Sequence, residues 1–149
     1  MMDANDSGND PPYPSILSGR RVLVCEDEGI TTIHLCILLR KAGLTVVGCT
    51  RDGLKSVELA LEERPELILM DINMPDLDGL DAAEQILAAY RPCIVIVTAY
   101  TEPIYQARAR QIGCSGYIVK PFTGPALLSK AAVYFQQHLD ACPVDTEEA

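Results

Sequence analysis

Five short apolar runs, at residues 22–25, 45–47, 67–70, 94–97 and 117–119, recur along the chain with 22 to 27 residues between successive starts. None alternates with polar residues, so each reads as a strand covered on both faces, as in a parallel sheet. Between the runs the apolar spacing becomes helical. Ile30, Ile33, Ile37 and Leu38 mark a first helix, Leu54, Val57 and Leu61 a second, and Leu80, Ala83, Ile86, Leu87 and Tyr90 a third. A weaker fourth runs from Pro103 through Ile104, Ala107 and Ala109 to Ile112. A fifth carries Leu127, Leu128, Ala131, Tyr134 and Phe135 and stops near His138. Gly43 and Gly113 suit left-handed C-caps, and Asp52 and Thr123 suit N-caps. Five such strand–helix repeats predict an α/β fold, a doubly wound five-stranded parallel sheet with helices on both faces. Function in such sheets lies at the carboxyl ends of the strands.

Charge is distributed unevenly. The chain has 149 residues and a net charge of -9 from 12 basic and 21 acidic residues. Residues 1–18 and 140–149 hold seven of the acids and no base, so the acidity sits mainly in the ends and the middle is nearly neutral. We therefore expect an acidic, flexible tail over 1–18, one domain over 19–139 and a second acidic tail over 140–149. A domain without a basic footprint is not expected to bind nucleic acid directly. No apolar stretch approaches the ~18 residues of a membrane span, and Asp3, Asp6 and Asp10 replace the basic start of a signal peptide, so the chain reads as cytoplasmic without membrane insertion. The cysteines, Cys25, Cys36, Cys49, Cys93, Cys114 and Cys142, form no metal-binding spacing with His34 or His138 and are expected to be reduced, Cys142 being the most reactive.

The predicted strand ends carry the chemistry. The first run leads into Glu26, Asp27 and Glu28, and the third into Asp71. Acids at loop starts are often plain helix caps, yet carboxylates converging on one edge also suit a hard divalent cation such as Mg²⁺. The same edge receives Thr98 and Ala99 from the fourth strand and Lys120 and Pro121 from the fifth. Acids, a central Asp, a hydroxyl and an ammonium form a site for a phosphoryl group carried on a carboxylate.

Glu26-Asp27, the stretch from Met70 through Asp71, Asn73 and Pro75 to Gly79, Thr98-Ala99, and Lys120-Pro121-Phe122 stand in order after four strands, and by these residues the sequence resembles the receiver domain of bacterial two-component response regulators. The resemblance covers about residues 19–139. It implies a flavodoxin-like sheet of order 2-1-3-4-5 and a cis bond between Lys120 and Pro121. It implies that Asp71 accepts phosphate from a sensor histidine kinase or a histidine phosphotransfer protein. Asp27, Asp71 and the backbone carbonyl of Asn73 would ligate Mg²⁺, with Glu26 acting directly or through water. Thr98 would hydrogen-bond the phosphoryl group and Lys120 would pair with it. Thr98 and Tyr117 would form the switch, and the signal would leave through helix four, strand five and helix five. Arg108, Arg110 and Tyr105 on that face suit a downstream protein or a symmetric dimer.

The interval from Asp71 to Thr98 is short for such a domain, as in receivers that precede RNA-binding antitermination domains, and predicts a tightened connection around Arg91-Pro92. Tyr100, two residues past Thr98, stands where a receiver's side chain influences the hydrolytic water. His34, among apolar residues of the first helix, is read as a packing or surface residue. The opening Met and acidic end lead us to expect a stand-alone signalling domain, not an enzyme. The alternatives are the receiver portion of a longer regulator with an RNA- or DNA-binding output domain and an aspartate-nucleophile phosphatase. Asn73 stands where the phosphatase needs a second Asp, and the missing glycine-rich turn after the first strand argues against a nucleotide binder.

Overall fold

The computed structural model describes residues 15–141. The expected tail positions 1–14 and 142–149, including Cys142, lie outside the described residues. Five strands, β1 (Arg21–Cys25), β2 (Thr45–Thr50), β3 (Leu67–Met70), β4 (Cys93–Thr98) and β5 (Gly116–Val119), alternate with five helices, α1 (Gly29–Lys41), α2 (Gly53–Glu63), α3 (Gly79–Leu87), α4 (Pro103–Ile112) and α5 (Gly124–Ala141). All neighbouring strands are parallel, in the order β2-β1-β3-β4-β5. β3 and β4 are buried along their whole length, as the unbroken apolar runs require. One core cluster packs α1 and α5 on one face of the sheet, and a second packs α2, α3 and α4 on the other.

The sequence expectation fails on which side of two helices faces inward. In α1, Ile30, Ile33 and Ile37 are exposed, while Leu35, Cys36 and Leu39 are buried. Apolar residues lie all round this helix, so spacing alone could not select the buried side. In α2 the buried residues are Gly53, Ser56 and Ala60, one position before the expected Leu54, Val57 and Leu61. Small residues face in because the helix comes very close to the loop after β3: a Cβ on Gly53 would lie 1.8 Å from the Leu77 carbonyl oxygen. Ile104 of α4 is also exposed, leaving Ala109 as that helix's one fully packed residue.

The packed unit begins earlier than residue 19. Ser15–Leu17 form a 3-10 turn, Leu17 is fully buried in the cluster containing Phe135, and Arg20 lies over the Phe135 ring at 4.9 Å. β2 runs three residues past its apolar stretch, because an edge strand needs less apolar cover. Its register on β1 pairs Val22 with Val46 but Leu23 with Gly48, making Val47 a β-bulge residue.

Caps appear where expected. Asp52 accepts from the Lys55 N–H at 2.7 Å and Thr123 from the Ala126 N–H at 3.2 Å, while Gly43 and Gly113 adopt positive φ. The short α3–β4 connection turns through Arg91 and the buried Pro92. His138, in the last turns of α5, reaches this connection. Its Nε2 lies 3.1 Å from the Arg91 carbonyl and its Nδ1 3.3 Å from the Ser115 hydroxyl. Burial pulls its pKa below the ordinary 6.5, opposed by the Arg91 carbonyl. The unfolded chain thus holds this proton more tightly, so His138's contribution to stability is complete above pH 6.5 and declines as pH falls through the lowered value. Urea unfolding across this range should show that decline in the wild type and a smaller one in His138→Gln; parallel curves would assign the effect elsewhere.

Candidate functional site

The acidic edge is assembled by backbone pairing. The Asp71 N–H donates to the Cys25 carbonyl at 2.9 Å, the Glu26 N–H to Thr50 at 3.0 Å and the Lys120 N–H to Thr98 at 2.8 Å. Neighbouring parallel strands thus end together, and the residues after β1, β3, β4 and β5 meet above the sheet. Gly79 lets α3 start directly beside Asp71, since a Cβ there would stand 1.9 Å from the Asp71 carbonyl oxygen. Asp78 caps the helix by accepting from the Asp81 N–H at 2.9 Å.

At the centre Lys120 Nζ lies 2.7 Å from Glu26 Oε1, 2.9 Å from Asp71 Oδ2 and 3.7 Å from Glu28 Oε1. Glu26 is 1% exposed and Asp71 6%. The remaining oxygens are engaged by backbone: the Glu28 N–H donates to Glu26 Oε2 at 3.1 Å and the Asn73 N–H to Asp71 Oδ1 at 3.2 Å. Burial raises the Glu26 pKa despite the Lys120 hydrogen bond that lowers it. For Lys120, burial pulls downward, but hydrogen bonds to Glu26 and Asp71 outweigh it and the net shift is upward. The ammonium is therefore held charged between two buried acids. The Lys120–Pro121 bond is cis.

Thr98 is fully buried, its hydroxyl oxygen accepting from the Tyr100 N–H at 3.4 Å. Tyr117 is turned into the protein and donates to the Tyr100 carbonyl at 2.7 Å, while Tyr134 of α5 donates to the Tyr117 carbonyl at 3.2 Å. Asp27 is half-buried, and Asn73 is exposed.

The structure brings Glu26, Asp71 and Lys120 into contact, places Asp27, Asn73 and Thr98 at or just after the same strand ends, and sets Tyr117 two residues inside β5. His34 is exposed and stacks on Phe122 at 6.2 Å. Arg108 pairs with Asp81 and, at 3.7 Å, with Glu84, joining α4 to α3 while its side chain stays 41% exposed. Sequence reasoning missed Arg51, whose guanidinium donates to the Asp27 carbonyl at 3.4 Å; no spacing signal marked it.

The profile of the response regulator receiver domain matches residues 22–132. The chain belongs to the response regulator receiver domain family. It is 42% identical over 104 residues to the transcriptional regulatory protein PdtaR of Mycobacterium tuberculosis, a match covering 70% of this chain and 51% of that protein. The chain thus spans about half the length of this curated relative. Among solved structures, the response regulator domain of Thermotoga maritima CheB superposes with a TM-score of 0.73 at 30% identity, covering 79% of this chain and 97% of that one. The receiver domain of a modulated diguanylate cyclase from Desulfovibrio desulfuricans G20 does so with a TM-score of 0.74 at 26% identity, covering 81% and 97%. Receiver domains are signalling domains, and this chain has their sheet and strand order.

Removing the receiver's Lys120 leaves two buried carboxylates facing each other. Lys120→Met should lower the unfolding free energy by about 3 kcal/mol in urea denaturation at neutral pH; equal stabilities would mean that the acids do not depend on the ammonium.

Proposed function

We propose that this receiver accepts a phosphoryl group on Asp71 from a sensor histidine kinase or a histidine phosphotransfer protein, and passes the signal on by binding a protein partner. The observation that carries this reading is the Lys120 ammonium 2.9 Å from a buried Asp71 at the end of β3. In the transfer, an Asp71 carboxylate oxygen forms a bond to phosphorus as the phosphorus–nitrogen bond to the donor imidazole breaks, its electron pair staying on that nitrogen. The carboxylate is itself the nucleophile, so no general base is required. Lys120 offsets charge on the phosphoryl oxygens, and Thr98 donates its hydroxyl to one of them.

A Mg²⁺ ion fits the donors at this edge. Among the described residues no three His, Cys, Asp or Glu side chains already close around one point. Mg²⁺ does not demand that: it keeps several waters and takes one or two carboxylates. Asp27 and Asp71 would supply these and Asn73 its backbone carbonyl, with Glu26 acting directly or through water. When bound, the ion neutralises negative charge on the phosphoryl group.

Tyr117 and Thr98 are the proposed switch. Thr98 moving toward the phosphoryl group would alter the Tyr100 backbone that both it and Tyr117 contact, and so the surface of α4, β5 and α5. That surface is our proposed site for a downstream protein or a second copy, through Tyr105 and Arg110. We place the domain in the cytoplasm; no helix among the described residues is long and apolar enough to cross a membrane. A second reading rests on the relative's name and length. PdtaR is a transcriptional regulator of which this chain matches 51%, so the domain would serve as the receiver of a longer regulator with a nucleic-acid-binding output.

With Mg²⁺ and acetyl phosphate, Asp71→Asn should abolish labelling of the full chain, whereas label retained at another residue would overturn the assignment. Asp27→Ala should weaken Mg²⁺ binding by about tenfold or more, since few carboxylates hold this reluctantly dehydrating ion; an unchanged titration would remove Asp27 from the ligand set.

A further inference from the structure

The bulge in β2 has a chemical consequence away from the acidic edge. Val46 packs with the cluster beneath α1, and strict alternation would return Gly48 to that side and send Cys49 to the other. Val47 is the extra residue, so Gly48 instead faces α2, where its added Cβ would meet Leu59 at 2.5 Å. Cys49, paired with Val24, is thereby aimed at α1. There it meets Cys36, buried on the inward side of that helix, with the two sulfur atoms 2.9 Å apart. Neither is in a disulfide in this structure.

We propose that Cys36 and Cys49 are a covalent modification site, at which an intramolecular disulfide closes between α1 and β2 by exchange with a small-molecule disulfide such as oxidised glutathione. Cys49 is exposed and Cys36 buried, which sets the order of events. The Cys49 thiolate attacks one sulfur of the glutathione disulfide, forming a mixed disulfide and releasing one glutathione thiolate. Cys36, as its thiolate, then attacks the Cys49 sulfur, closing the protein disulfide and releasing the second glutathione. The two cysteine protons end on the two glutathione thiols, and the two electrons lost by the protein reduce the reagent. Partial burial, then the hydrogen bond and charge of Cys36, push the Cys49 thiol up to about 12, while Arg40 acts in the opposite direction.

Cys25 belongs to the opposite face of the sheet and its thiol bonds to the Ser56 and Thr50 hydroxyls. Closure across 13 residues would tie the helix that follows the acidic loop to the edge strand and remove freedom from the unfolded chain.

The test equilibrates the full chain with excess oxidised glutathione, alkylates remaining thiols and maps non-reduced peptides by mass spectrometry. The expected result is a peptide linking Cys36 to Cys49, reversed by dithiothreitol, and a Tm raised by on the order of 10 °C. Cys49→Ser, a substitution at an exposed position, should remove both effects. Glutathione remaining attached at Cys49, a link formed to another cysteine in place of this one, or complete alkylation of both thiols would each overturn the proposal.

Discussion

One ammonium holds the functional edge together. Glu26 and Asp71 are both buried, and two ionised carboxylates so close would repel each other strongly without a counterion. Lys120, brought from the last strand, reaches both within hydrogen-bond distance. That contact joins residues 26, 71 and 120, spanning nearly the whole domain, and it requires β1, β3 and β5 to end at one level. Backbone bonds from Asp71 to Cys25 and from Lys120 to Thr98 set that level. The same ammonium is the group we propose to meet phosphoryl oxygens, so one side chain both balances the resting charge and prepares the site for more.

The site is coupled to the opposite helices by short polar contacts embedded in the aromatic packing. Thr98 accepts from Tyr100, Tyr100 from Tyr117, and Tyr117 from Tyr134 in α5. Tyr100 and Tyr105 lie ring against ring at 4.8 Å, bringing α4 into the same group. Arg108 ties α4 to Asp81 and Glu84 on α3, so α4, which buries only Ala109 fully, is held largely by electrostatic and aromatic contacts. An element with so little buried apolar surface shifts at low energetic cost, which supports the switching role we propose for this face.

Some of this arrangement was legible in the sequence because it follows from local chemistry. Unbroken apolar runs can be satisfied only between two layers of helices, and a right-handed crossover brings every strand end to one edge. Glu26, Asp71, Thr98 and Lys120 each follow a run directly, so their convergence was implied by strand ends alone. Asp52 and Thr123 announced helix starts because their side chains satisfy N–H groups a few residues ahead. Asp78 was visible only as part of the motif, and the left-handed cap at Arg64 gave no signal at all.

Local pattern alone specified the number, type and order of the elements and the residues at each strand end, since these depend on near neighbours and on apolar periodicity. Tertiary structure decided which side of α1 and α2 is buried. Ile30, Ile33 and Ile37 lost to Leu35, Cys36 and Leu39 on a helix that is apolar all round, and Leu54 and Leu61 to Gly53, Ser56 and Ala60 because close approach to the loop after β3 favours small side chains. It also decided that Arg108 reaches across the surface to Asp81 and that a bulge at Val47 brings Cys49 to Cys36. Those outcomes depend on register and distance between elements far apart in the chain, and neither composition nor spacing encodes them locally.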